Sequence, residues 1–221
     1  MGESNSYFPK LDLKFISNDN RGIFTKEKIH KDEIFMRIPA TMLITLEIAK
    51  ESPIGMKMVN ENLQLLSPKH CYLANFLLQE KRIKNSKWEN YLKVLPEFYE
   101  NFPIFFTDEE KKWLDGSPFL FQINEKINEI ETDYKTIFSK IPEFQNFSLK
   151  EFSEARMLAS SRIFGIKINN KKTDCFAPLA DMLNHRRPRK TKWYYSDQIK
   201  SFVIHAINEI DKGEEVIKEI F

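Results

Sequence analysis

The chain has 221 residues, enough for one domain, or one domain carrying a large insertion, and enough to bury a substantial core. Lys and Arg total 34 against 32 Asp and Glu, and this near-balance of +2 argues against nucleic-acid binding driven by bulk electrostatics. No apolar run is long enough to cross a bilayer and residues 1–10 lack the pattern of a secretory signal, so a soluble protein without a membrane partner is expected, cytoplasmic first, with the nucleus as the alternative.

The N-terminal third reads as short strands. Leu11 to Ile16, Ile23 to Ile29 and Glu33 to Pro39 alternate Ile, Leu and Phe with polar residues, separated by Asn18-Asp19-Asn20 and His30-Lys31-Asp32. A small β-meander follows. From Thr45 the period lengthens: Ala74, Leu77, Leu78 and Lys81, then Trp88, Tyr91, Leu92 and Leu95, suit amphipathic helices that end at Pro96. Thr107 with Glu110 forms a capping signature for a helix through Trp113. Phe119 to Phe138 carries a helical stripe of Ile123, Ile127, Ile130, Tyr134 and Ile137 opposite a charged face, which predicts core packing.

Ser148 with Glu151 repeats the capping signature, and the helix it opens runs toward Gly165. Asn169 to Lys172 predicts a solvated loop. Trp193-Tyr194-Tyr195 and Phe202-Val203-Ile204 read as a hairpin, and Asp211-Lys212-Gly213 turns into Glu214 to Ile217. The order is therefore strands, a long helical middle, then strands again. Cys71 and Cys175 are the only cysteines, unpaired in spacing, so buried thiols are expected, with no metal site.

In Phe176 to His185 an apolar strand runs into Asp181, Asn184 and His185 after Pro178. Burying an unpaired amide or imidazole costs about 1–3 kcal/mol, so this cluster is either satisfied internally or kept for a ligand. Downstream, Arg186, Arg187, Arg189 and Lys190 precede Trp193 to Tyr195, a mixture that can grip a nucleic-acid backbone. A solvated turn is the simpler reading, and steering an acidic patch of a protein substrate is another.

Several segments in shared order carry a family likeness. They are Asn20-Arg21-Gly22-Ile23, Ile29 to Glu33 with Ile38-Pro39, Leu43 to Glu47 with Ala49, Ser86-Lys-Trp88 leading to Leu95-Pro96, Phe152 to Ala155 continuing into Ser161 to Phe164, Pro178 to His185, and Gly213-Glu-Glu-Val216. Together they resemble the SET-domain protein methyltransferases, in the branch of the Rubisco large-subunit and actin-histidine enzymes. The resemblance implies an α+β, SET-like fold of short β-sheets with a helical insertion. Residues 1–66 would form the N-terminal part of the SET domain, 67–150 the insertion and 151–221 the C-terminal part.

It also implies S-adenosylmethionine as methyl donor and a protein side chain, foremost lysine, as acceptor, on a monomeric enzyme. By family position Asn20, Arg21 and Gly22 line the donor pocket, Glu47 lies in a second contact stretch, Arg162 faces the donor carboxylate, and Asp181, Asn184 and His185 form the late corner. Only glycine lets a backbone approach a ligand so closely, and a guanidinium suits a carboxylate.

The family's late tyrosine falls on Ile220, so no catalytic residue is assigned, and the family's helical substrate-binding domain is missing. A C-terminally truncated member is therefore expected. The alternative is a catalytically inactive SET-like scaffold that binds a partner protein.

Overall fold

Strand and helix segregate along the chain as the two hydrophobic periods do. The computed structural model describes residues 6–16, 21–96 and 99–218. They fall into two units, Met1–Thr45 with Ile163–Phe221, and Leu46–Arg162.

The first unit holds the strands, β1 (Leu11–Phe15), β2 (Arg21–Thr25), β3 (Ile34–Pro39), β4 (Ile44–Thr45), β5 (Ile163–Ile168), β6 (Lys171–Phe176), β7 (Asn184–His185), β8 (Thr191–Ser196), β9 (Ser201–Ala206) and β10 (Ile217–Lys218). They make four small sheets, ordered β1-β2, β3-β9-β8, β4-β6-β5 and β10-β7. Only β7 and β10 run parallel. One apolar cluster joins these sheets, with Ile23, Met36, Ile38, Phe164, Phe202 and Ile204 among its buried members. Phe164 meets Trp193 and Phe202 edge-on, at centroid distances of 5.2 and 5.1 Å.

Two strands stop earlier than the sequence pattern predicts, each for a hydrogen-bonding reason. β2 ends at Thr25 because the 211–214 turn captures it: Thr25 N–H donates to the Glu214 carbonyl (3.0 Å), its hydroxyl to the Asp211 carbonyl (2.6 Å), and its own carbonyl accepts from Gly213 N–H (2.9 Å). Ile29 then returns only as an isolated bridge to Ile210. β6 ends at Phe176, before Pro178, which has no N–H for a ladder, and Leu179 reverses the backbone at φ +78° into a 3-10 turn over Ala180–Met182.

The second unit is helical: α1 (Leu46–Glu51), α2 (Pro53–Asn60), α3 (Pro68–Glu80), α4 (Glu89–Leu92), α5 (Asp108–Lys112), α6 (Pro118–Lys140) and α7 (Leu149–Arg162). Both predicted capping boxes are present. Thr107 and Glu110 satisfy each other's backbone N–H at the start of α5, as do Ser148 and Glu151 at α7. The helix expected over 88–95 is only four residues long, since Pro96 disfavours helical geometry at Leu95. Trp88 instead packs edge-on against Phe76.

The helical unit is organised around a buried guanidinium. Arg156, 1% exposed, donates to Asp133 (2.8 Å), Glu129 (2.6 Å) and the Cys71 sulfur (2.7 Å). Asp133 also accepts from Leu66 N–H (2.6 Å) and Ser67 N–H (3.2 Å), so α3, α6 and α7 meet at one carboxylate. Burial pushes the Cys71 thiol well above its ordinary range, which keeps it protonated. The same environment lowers the neighbouring His70 imidazole to about 4, through burial first and the Arg156 charge second.

Two consequences are measurable. Arg156→Ala, which leaves Asp133 as an uncompensated buried charge, is expected to cost about 3–5 kcal/mol in urea denaturation. His70 has a folded-state pKa below its unfolded value, so its contribution is complete above about pH 6.5 and is lost progressively as pH falls toward 4. His70→Gln should flatten the pH dependence of the urea midpoint across that window, and an unchanged slope would remove His70 from the account.

Candidate functional site

Arg21 and Gly22 open β2, whose far end is held by the 211–214 turn, and the next residue of that segment, Glu215, bridges to Phe24. Asn184 sits in β7, beside Ile217 of β10. Three remote parts of the strand unit therefore meet. The Asn184 side-chain amide closes the junction, donating to the Arg21 carbonyl (2.8 Å) and to Glu215 Oε1 (2.7 Å).

Both partners are pure acceptors, which fixes the amide's orientation. The two N–H groups face the protein, and Asn184 Oδ1 is left as an acceptor on a half-buried side chain. Gly22 lies against the same carboxylate. A Cβ there would stand 2.5 Å from Glu215 Oε1 and 3.2 Å from Cδ, so the close approach for which glycine suits this position is made here by Glu215.

Glu215 enters the sequence reading only within the Gly213-Glu-Glu-Val216 segment, with no site role. Its side chain is 13% exposed and also meets Arg186 Nη2 at 3.4 Å. Its neighbour Glu214 pairs with Lys190 and accepts from Asp211 N–H at 3.1 Å. Burial pushes the Glu214 carboxyl up, but the Lys190 and Asp211 hydrogen bonds outweigh it and hold the group below its ordinary value. The available signal was the pair of acids set directly before the apolar Val216 and Ile217.

Asp181 is buried in the 3-10 turn, 7% exposed, with its N–H on the Ala177 carbonyl at 3.2 Å. The turn starts from Leu179 at φ +78°, ψ −46°, a region that costs a non-glycine residue about 1–3 kcal/mol. This reversal sends the chain into Leu183 and Asn184. His185 is exposed, and its strand pairs with Lys218. Glu47, in the first turn of α1, and Arg162, the last residue of α7, are half-buried members of the helical unit. Asn20 and Ile220 lie outside the described residues.

Neither tyrosine of β8 stands out as a reacting group. Tyr195 is half-buried against the core and burial raises its hydroxyl, while exposed Tyr194 packs edge-on to His205 at 5.7 Å. Among the described residues no group of acids, histidines and cysteines could hold a metal ion, and no helix is long and apolar enough to cross a membrane.

Short sheets with a helical segment placed between β4 and β5, and a late Asn184 corner tied to the start of β2 at Arg21 and Gly22, define the class. The SET domain family model matches residues 20–217, and the chain belongs to that family. It is similar to the actin-histidine N-methyltransferase of Xenopus tropicalis, 24% identical over 97% of this chain and 41% of that protein. The Homo sapiens protein of the same name is 23% identical over 97% of this chain and 40% of its own length. The fold is also similar to the SET domain of LSMT bound to lysine and AdoHcy, with TM-score 0.79, 19% identity, and coverage of 95% of this chain and 49% of that one. Rubisco LSMT bound to AdoMet gives TM-score 0.77 at 20% identity, over 95% and 48%. The chain thus spans about two-fifths of the length of these curated relatives.

The junction has a signature in mutational coupling. In Gly22→Ala the new methyl displaces Glu215 from Asn184, whereas in a Glu215→Ala background it meets no carboxylate. Thermal or urea unfolding of the double-mutant cycle should give a coupling of about 1–3 kcal/mol, with Gly22→Ala milder once Glu215 is gone, when the tight contact left is the Phe24 ring edge at 3.1 Å. Additive effects would dissolve the junction.

Proposed function

We propose that this chain is an S-adenosylmethionine-dependent protein N-methyltransferase acting on a side-chain nitrogen, with lysine as the acceptor. The observation that carries this reading is the Arg21–Gly22–Asn184–Glu215 junction, because residues assigned to the donor from opposite parts of the sequence converge there. When bound, the donor supplies a methyl group carried on a sulfonium.

The junction suits the donor's polar end. Asn184 Oδ1 is an acceptor for an ammonium, held by two hydrogen bonds that keep the amide from turning. Glu215 acts through Asn184 as a positioning residue. Arg21 adjoins Gly22 in β2, Asp181 and His185 stand on either side of Asn184 in the chain, and Asn20 is assigned to the donor by family position alone. Glu47 and Arg162 are assigned to the donor by family resemblance alone.

Transfer to an amine demands alignment, exclusion of water and a deprotonated nucleophile, and a lysine in water ionises near about 10.4. No residue of this chain is assigned to that deprotonation. The names of the similar proteins support both nitrogen chemistries. Lysine is bound in the solved SET domain of LSMT, and histidine is named for the curated relatives.

Calorimetric titration with S-adenosylmethionine should show saturable binding, weakened about 10–100-fold by Asn184→Ala through loss of one charge-assisted hydrogen bond. The same titration tests Glu47→Ala and Arg162→Ala. With radiolabelled donor and cell extract, label is expected on protein as methyllysine. Methylhistidine would redirect the acceptor, binding without transfer would favour the silent scaffold, and no donor binding would overturn the reading.

A further inference from the structure

The sequence draws attention to the basic run Arg186 to Lys190, but the structure neutralises much of it. Arg186 meets Glu215 and Lys190 meets Glu214. Positive charge without such partners lies instead on the β5–β6 hairpin, at the residues the sequence presents as a plain solvated loop.

The two strands are in a register that sets Lys167 directly opposite Lys172, with Lys171 at the tip beyond Asn169 and Asn170, both at positive φ. All three lysines are exposed, and among the described residues none has a carboxylate in ion-pair contact. Like charges directly opposite on a sheet are destabilising, so this arrangement disfavours the free hairpin. One acid, Asp174, shares the face with the lysines and offsets part of this charge. Asp197 is engaged with Asn169 N–H at 2.8 Å, and Asp174 lies two residues along the strand from Lys172, opposite Gly165.

The hairpin has a distinct inner and outer face. Phe164, Ile166, Thr173 and Cys175 are buried, whereas Gly165, Lys167 and Lys172 point outward and are exposed, with half-buried Asp174 on the same face. A Cβ at Gly165 would meet nothing within 4 Å, so the outer face is unobstructed beside the lysine pair.

We propose that this outer face docks an acidic, extended segment of a polypeptide, and, resting on the methyltransferase reading, that this segment belongs to the protein substrate. Carboxylates laid along Lys167, Lys172 and Lys171 would remove the cross-strand repulsion that a single acid on this face, Asp174, offsets only in part. Nucleic acid fits less well. The outward residues include no aromatic ring on which bases could stack, and three lysines are few for the phosphate contacts of a duplex.

The test uses fluorescence anisotropy of a labelled ten-residue Glu-Ser peptide with the full chain at low salt. A Gln-Ser peptide and a single-stranded oligonucleotide of equal charge serve as comparisons. The acidic peptide should bind, weaken as salt is raised, and lose about tenfold in affinity in Lys167→Glu/Lys172→Glu. Lys172→Glu alone turns a repulsive pair into an attractive one, so it should keep or raise the melting temperature while still weakening the peptide. The matched change Lys26→Glu/Lys31→Glu, at two other exposed lysines of the unit, should leave binding intact. Equal binding of the neutral peptide, equal loss in the matched variant, or tighter binding of the oligonucleotide would overturn the proposal. No donor is present in the assay. A chain that holds the peptide but takes up no S-adenosylmethionine would refute methyl transfer and leave the docking surface standing.

Discussion

The strand unit depends on one side-chain amide. Asn184 is 163 residues from Arg21 and 31 from Glu215, yet its two N–H groups reach both. The bond to Glu215 is charge-assisted and part-buried, where loss of a partner leaves a carboxylate with little water to replace it. Other local oddities follow from seating this group. Gly22 lacks a side chain where Glu215 presses in, Leu179 adopts a disfavoured backbone just upstream, and two residues of β7 find a parallel partner in β10.

The helical unit is held by a different device. Arg156 is surrounded by Asp133, Glu129 and the Cys71 sulfur, and it converts three helices into one hydrogen-bonded body. Buried ion pairs of this kind add little net stability over a well-packed apolar core, but their directional bonds penalise a wrong rotation of any participating helix. The aromatic packing beside it, with Tyr134 5.3 Å from Phe144 and Phe144 5.5 Å from Phe152, fills space without imposing such directions.

Features encoded within a few residues were legible from the sequence. The capping boxes at Thr107 and Ser148, the long helix through Ile123 and Ile137, and the 191–206 hairpin all arise from neighbours along the chain, where periodicity carries information. Features created by remote partners were not. Asp133 belongs to a helix whose charged residues suggest a solvent face, but Arg156 draws it to 1% exposure. Glu215 becomes part of the site only because β2 and β7 bracket it. Arg186 and Lys190 lose their apparent availability to Glu215 and Glu214, while Lys167 and Lys172 become neighbours only through strand register. The Gly22–Asn184 convergence was visible through family resemblance and not through local pattern.

Threading the 211–217 segment past β2 also has a kinetic side. Thr25 exchanges hydrogen bonds with Glu214, 189 positions further along, so β2 leaves the ribosome long before the residues that terminate and cover it have been made. Until then β2 has only β1 for company, and Phe15 and Ile16 remain 71% and 53% exposed even in the finished fold. A topology of such high contact order closes slowly, and its early strands present sticky edges during synthesis. The corner where Asn184, Arg21 and Glu215 meet is therefore among the last parts of the molecule to come into being.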